Sequence, residues 1–141
     1  MKGARTGSRE AALKILFGLE ATGADVEEAL VLHWREFGGE MESRAYADEI
    51  VRGVMRDVEG VDEIIRTVSE HWRLERMTRV DRNLLRLGTW ELREKGDVPR
   101  AVILDEAVEL AKRFGSDESS AFVNGVLNQI AERLGRVDTD R

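Results

Sequence analysis

The chain has 141 residues, 42% of them hydrophobic and 35% charged, with one proline and no cysteine; that is enough to bury a core as a single domain over residues 1–141, and it excludes a disordered, collagen-like or linker-rich chain. The missing cysteines exclude a disulfide framework, a thiolate zinc site and a thiol nucleophile and fit a reducing cytoplasm, while no run nears the roughly 18 apolar residues of a membrane span and no signal-peptide core is present. The net charge of −6 excludes binding nucleic acid by bulk charge, since that affinity comes from cations that release phosphate counterions.

Seven helical segments are predicted, with no strand between them. The first runs from about Ser8, a candidate N-cap, to about Glu20 and buries Ala12, Ile15, Leu16 and Leu19; residues 1–7 ahead of it read as a flexible basic N-terminus. The second spans about Asp25 to Phe37 on Val26, Ala29, Leu30 and Trp34, and Gly38-Gly39 stops it. The third opens near Ser43 and carries Tyr46, Ile50, Val51, Val54 and Val58; the fourth covers about Val61 to Trp72. The fifth, about Met77 to Glu94, has the broadest apolar face in Val80, Leu84, Leu85, Leu87 and Leu92, which predicts a central position. The sixth holds Ala107, Leu110, Ala111 and Phe114, with Asp105 a candidate start after an extended Val102-Ile103-Leu104. The seventh runs from about Ser116 to Leu134, leaving 135–141 as a flexible tail. Short connections imply an all-α fold of two small bundles that share an interface.

The seventh segment contains a local conflict. Phe122, Val123, Val126, Leu127, Ile130 and Leu134 keep helical spacing, yet Asn124 and Gly125 break it at a cost of roughly 1 kcal/mol for the glycine alone. Two readings stand. Gly125 admits a neighbouring helix and Asn124 satisfies buried backbone groups, or the start of this helix presents Phe122 to a ligand.

Charge is unevenly distributed, with residues 1–14 at +3, 15–72 at −9, 73–86 at +3 and 87–141 at −3. In the second basic island Arg76, Arg79, Arg82 and Arg86 follow helical spacing, either as a stripe for a phosphate backbone or as a solvated face. In the first, Lys2, Arg5, Arg9 and Lys14 accompany Phe17, which falls beyond the buried face. Exposed rings that stack bases beside cations that hold phosphates are the chemistry of single-stranded RNA binding, so Phe17 and Phe122 are either such platforms or core residues.

No enzyme chemistry is legible. There is no phosphate loop, dinucleotide fingerprint or nucleophile elbow, and no cofactor is implied. His33 and His71 read as surface imidazoles beside tryptophans, in His-Trp-Arg triplets whose surroundings do not match. Asp105, Glu106 and Glu109 could hold a divalent ion, but they also suit the positive end of a helix and a pairing with Lys112 or Arg113.

The ordered series Ser8-Arg9-Glu10-Ala11-Ala12-Leu13-Lys14, Tyr46 to Val54, Val80-Asp81-Arg82-Asn83-Leu84-Leu85-Arg86-Leu87, Asp97-Val98-Pro99, Asp105 through Gly115 and Ser119 through Leu127 resembles the NusB family of bacterial transcription antitermination factors. The resemblance implies two perpendicular helical bundles, no catalysis, and binding of the boxA element of nascent ribosomal RNA together with NusE, a small-subunit ribosomal protein, within the RNA polymerase antitermination complex. It implies an RNA surface of Arg5, Arg9, Lys14, Phe17, Arg86, Asp117, Ser119 and Phe122, which Lys2 would extend, and a NusE surface of Glu75, Arg79, Asp81 and Arg82. Where many family members open with a dense arginine run, this chain has Lys2, Arg5 and Arg9, and it has Phe17 where tyrosine is frequent. Weaker binding of free RNA is therefore expected, with NusE adding contact area. Two other roles fit such a domain. One is the RNA-docking module of a ribosomal RNA cytosine methyltransferase, which the absence of a following domain and of an attacking cysteine argues against; the other is structural self-association as a homodimer.

Overall fold

The computed structural model describes residues 4–69 and 71–137, which form seven α-helices and one 3-10 turn. These are α1 (Ala4–Thr22), α2 (Val26–Phe37), α3 (Met41–Arg56), α4 (Val58–Val68), the turn Leu74–Arg76, α5 (Arg79–Glu94), α6 (Arg100–Phe114) and α7 (Ser119–Arg133), with no strand among the described residues. Short polar side chains set two of the starts. Asp25 accepts the Glu28 amide at 3.1 Å ahead of α2, and Thr78 accepts the Asp81 amide at 3.2 Å ahead of α5. Gly23 and Gly38, both at positive φ, end α1 and α2 where an L side chain would be strained.

Helices α1 to α3 pack on one another, and α4 to α7 form a second group; α5 touches α1, α3, α4, α6 and α7 and so belongs to both. Its burial is correspondingly wide. Leu84, Leu85, Leu87 and Leu92 are enclosed together with Trp90, Thr89 and Glu91, each leucine contributing about 1.5 to 3 kcal/mol by leaving water. Close approach to α7 depends on Gly88, where an added Cβ would lie 2.7 Å from Leu127.

Several boundaries differ from the sequence reading. Helix α1 starts at Ala4, so residues 4–7 are helix rather than a free arm, and Ser8 lies inside it, buried and donating to the Ser43 carbonyl at 2.7 Å. Helix α6 starts at Arg100, directly after Pro99 at its N-cap, whose carbonyl accepts the Ile103 amide at 3.2 Å and whose missing amide hydrogen costs nothing there, and this makes Val102 to Leu104 helical. The C-terminal segment is tied down as far as it is described. Arg136 donates to the carbonyls of Leu92 at 2.8 Å and Val98 at 2.6 Å, and Arg100 donates to the Arg136 carbonyl at 2.9 Å.

Candidate nucleic-acid interface

The N-terminal basic island divides along α1. Lys2 lies outside the described residues. Arg5 is about half exposed, its guanidinium 4.2 Å from the centre of the Tyr46 ring and 3.9 Å from Asp97. Lys14 is half exposed, 3.1 Å from Glu10 and within 5.6 Å of the Phe114 ring. Phe17 is 38% exposed, so it is a surface ring, and the Arg79 guanidinium lies 5.0 Å from its centre.

Arg9 departs from the expected surface. It is 3% exposed, and it donates from Nε and Nη2 to the two oxygens of the fully buried Glu91 at 2.7 and 2.8 Å. Its third contact is Glu106 at 3.0 Å, while the Tyr46 hydroxyl donates to Glu91 at 2.6 Å. Burial works against the guanidinium's charge, but the Glu91 hydrogen bonds and charge outweigh it and hold the pKa above its ordinary value. Burial, reinforced by the Glu91 carboxylate, pushes the Tyr46 phenol up. Arg9 thus welds α1 to α5 and α6; without a second apolar signal, its sequence position did not separate this fate from that of Arg5.

The expected arginine stripe on α5 also folds inward. Arg86 makes a two-pronged contact with Asp62 at 2.8 and 2.9 Å and a third to Glu20 at 3.0 Å, and Arg82 binds Glu20 and donates to the carbonyls of Leu74 and Met77. Arg79, at 3.4 Å from Glu20, is the outer member. This convergence, led by the Arg82 hydrogen bond, lowers the Glu20 carboxyl to about 2. Arg82 and Arg86 are 15% and 14% exposed, so of the predicted stripe Arg76 and the edge of Arg79 remain available as cations, beside the exposed Arg73.

Phe122 sits at the start of α7, partly buried against the core and edge-on to Trp72 at 5.7 Å between ring centres. Trp72 is 60% exposed and lies past the end of α4, outside the helix predicted for it. The ring pair forms the wall between two grooves of about 890 and 860 Å³. The first is lined by Arg73, Arg76, Thr78 and Asp81, the second by His71, Gly125, Gln129 and Arg133. Asp81 is nearly buried at the wall of the first groove, and its Oδ1 is enclosed without a hydrogen-bond partner among the described residues. The first turn of α5 connects the two rings, with Arg79 over Phe17 and Asp81 beside the Phe122 groove.

The conflict at Asn124-Gly125 resolves against packing. Both are exposed, and a Cβ at Gly125 would meet nothing within 4 Å, so no helix approaches there. Ser119 is another correction, since it is buried and its Oγ accepts the Ser116 amide at 2.9 Å, fastening the turn between α6 and α7. Asp117 on that turn is exposed. Glu75 is exposed and pairs with Arg66 at 3.0 Å; its own backbone amide and then Arg66 hold its carboxyl below the usual range. Of the carboxylates considered for a metal, Glu106 is engaged by Thr6 and Arg9, and Glu109 lies 3.7 Å from Lys112. Among the described residues no group of three or more histidines and carboxylates is arranged to hold an ion.

Trp72 and Arg73 are the functional candidates that sequence reasoning missed. Trp34, in the other His-Trp-Arg triplet, is buried and donates to Asp48 at 2.8 Å, and nothing in the shared triplet distinguishes the two.

Comparison with known proteins gives the geometry a context. The chain is 64% identical over 139 residues to the transcription antitermination protein NusB of Sorangium cellulosum, covering 99% of both chains, and 46% identical over 138 residues to that of Myxococcus xanthus, covering 95% of this chain and 99% of the other. The structure superposes on NusB of T. maritima with a TM-score of 0.86 at 38% identity, covering 94% of this chain and 93% of the other. It also matches, with a TM-score of 0.85 at 28% identity over 94% and 99% of the two chains, a structure of the antitermination factors NusB and NusE in complex with double-stranded RNA. The NusB family model matches residues 6–132, and the chain belongs to the NusB family.

Proposed function

We propose that this protein is a transcription antitermination factor that binds boxA-type RNA of nascent ribosomal transcripts together with NusE, as part of the antitermination complex on RNA polymerase. It acts by binding, not catalysis, and works in the cytoplasm, where such transcripts arise. No helix among the described residues is long and apolar enough to cross a membrane.

The observation that carries the reading is the Phe122–Trp72 pair, two ring faces set between grooves and flanked by Arg73 and Arg76. Rings beside cations suit unstacked bases and their phosphates. The likeness to a NusB–NusE–RNA assembly supplies both partners. On this reading Arg5, Lys14, Phe17, Asp117 and Phe122 face the RNA, and Glu75 and Arg79, with the edge of Asp81, face NusE, while Arg82, drawn inward by Glu20, braces that surface from beneath. Arg9, Arg86 and Ser119 hold the helices that present these groups.

The test is a fluorescence titration of the protein with NusE at fixed salt, against a boxA RNA and a scrambled one. The complex favours boxA, and Phe122→Ala loses about 1 to 3 kcal/mol of that preference. Equal binding of both RNAs overturns the sequence-specific reading.

A further inference from the structure

Gly125 is exposed and takes no part in packing, although an interior glycine weakens a helix relative to alanine. The open space beside it is the second groove, about 860 Å³, on the other side of the Phe122–Trp72 pair from Asp81. Phe122, Gly125, Gln129 and Arg133 follow one another at spacings of three, four and four, which keeps them on one side of α7, and all four line this groove. The stripe runs about 16 Å along the helix axis at a rise of about 1.5 Å per residue. Across from it stand Val68, at the end of α4, and Trp72, whose amide donates to the Ser69 carbonyl at 3.0 Å and so holds the ring in a tight turn.

The groove presents its contacts in a definite order. Phe122 and Trp72 give ring surface, and Gly125 gives bare backbone that a flat group can approach closely. Gln129 adds an amide that both donates and accepts, and Arg133 adds an exposed guanidinium with no ion pair among the described residues. Glu132, the carboxylate at this end, already engages Arg100 at 3.4 Å. A planar base followed by a phosphate matches this sequence of stacking, close approach, hydrogen bonding and charge. An apolar protein segment would leave the Gln129 amide and the Arg133 guanidinium unmatched.

We propose that this groove carries the RNA strand beyond the boxA element: a flanking nucleotide packs its base over Gly125 against the Trp72 ring, and Arg133 holds a phosphate further along. The inference rests on the RNA-binding reading and adds a direction to it, along α7 and away from the first turn of α5.

The complex of the full chain with NusE is titrated at fixed salt with boxA RNA, with a scrambled RNA, and with boxA RNA extended at its 5′ or its 3′ end by a short adenosine run. One of the two extensions tightens binding about fivefold or more. Gly125→Leu, which fills the groove, and Arg133→Ala each remove that gain and leave binding of the unextended RNA unchanged. Arg133→Ala also flattens the salt dependence for the extended RNA. Gly125→Leu unfolds at no lower urea concentration than the parent, because leucine is the better helix former, so the lost gain is not lost structure. The proposal is overturned if neither extension tightens binding, if either variant keeps the gain, or if the variants weaken the unextended RNA equally. A preference for boxA over the scrambled RNA that survives such a result leaves the RNA-binding reading standing, whereas its absence removes both. If Gly125→Leu instead weakens the hold on NusE, the groove belongs to a protein and the proposal fails.

Discussion

The two ends of α1 are fastened to α5 by the same chemistry in different surroundings. At the N-terminal end Arg9 and Glu91 are 3% and 0% exposed and the Tyr46 hydroxyl joins them in a buried network, with Glu106, 21% exposed, at its rim. At the C-terminal end Glu20 gathers Arg79, Arg82 and Arg86 at 22% exposure, with Asp62 taking the other side of Arg86. Coulomb attraction grows as the local dielectric falls, but so does the penalty for a charge left alone. The first network therefore behaves as a single unit whose members depend on one another, whereas water at the second can replace a lost partner. One end acts as a weld and the other as a clasp.

The comparison breaks most visibly at Arg9. Arg9→Ala leaves Glu91 buried with only the Tyr46 hydroxyl, and the fold loses about 3 to 5 kcal/mol in urea unfolding. Replacing both charges, as Arg9→Met with Glu91→Leu, restores most of that loss, because the cost lies in the orphaned carboxylate more than in the missing attraction. If the single variant loses under about 1 kcal/mol, water reaches Glu91 and the two ends are alike.

The clasp responds to acid. The Glu20 carboxyl sits at about 2 in the folded chain against 4.5 when unperturbed. Its contribution is thus fully present above pH 4.5 and is lost as the pH falls from there toward 2. Allowing for screening at this partly exposed site, it amounts to about 1 to 2 kcal/mol. Comparing urea midpoints of the parent and Glu20→Gln, the gap is widest near neutrality and narrows through this window. A gap independent of pH means that Glu20 stabilises by packing alone.

The helices were legible because apolar spacing and glycine stops are local signals. Leu84, Leu85, Leu87 and Leu92 announced the central helix, and Asp25 announced the start of α2. The fate of each arginine was not, since the deciding carboxylates come from elsewhere in the chain. Glu91 is 82 residues from Arg9, and Glu20 is 62 residues from Arg82. Glycines show the same limit. Gly125 looked like the site of close approach, yet it faces open space while Gly88 carries Leu127 against its backbone. For the interface, Phe17 was readable as a ring off the main apolar face and Phe122 as one at the start of the seventh segment's apolar stripe, but Trp72 became a candidate only once α4 was seen to end at Val68.

Arg79 sharpens the comparison at its weakest point. It is the outermost arm of the clasp, 42% exposed and 3.4 Å from Glu20, with Phe17 beneath its guanidinium. Arg82 and Arg86 keep Glu20 satisfied in its absence, so Arg79→Ala shifts the unfolding free energy by less than about 1 kcal/mol, and less still at high salt. Binding tells a different story, because the same change removes a cation from the proposed NusE surface and should raise the dissociation constant for NusE without unfolding the chain. A stability loss above about 2 kcal/mol would instead place Arg79 inside a tightly coupled network. The C-terminal end of α1 would then be a second weld, and its arginines would have no surface left to offer a partner.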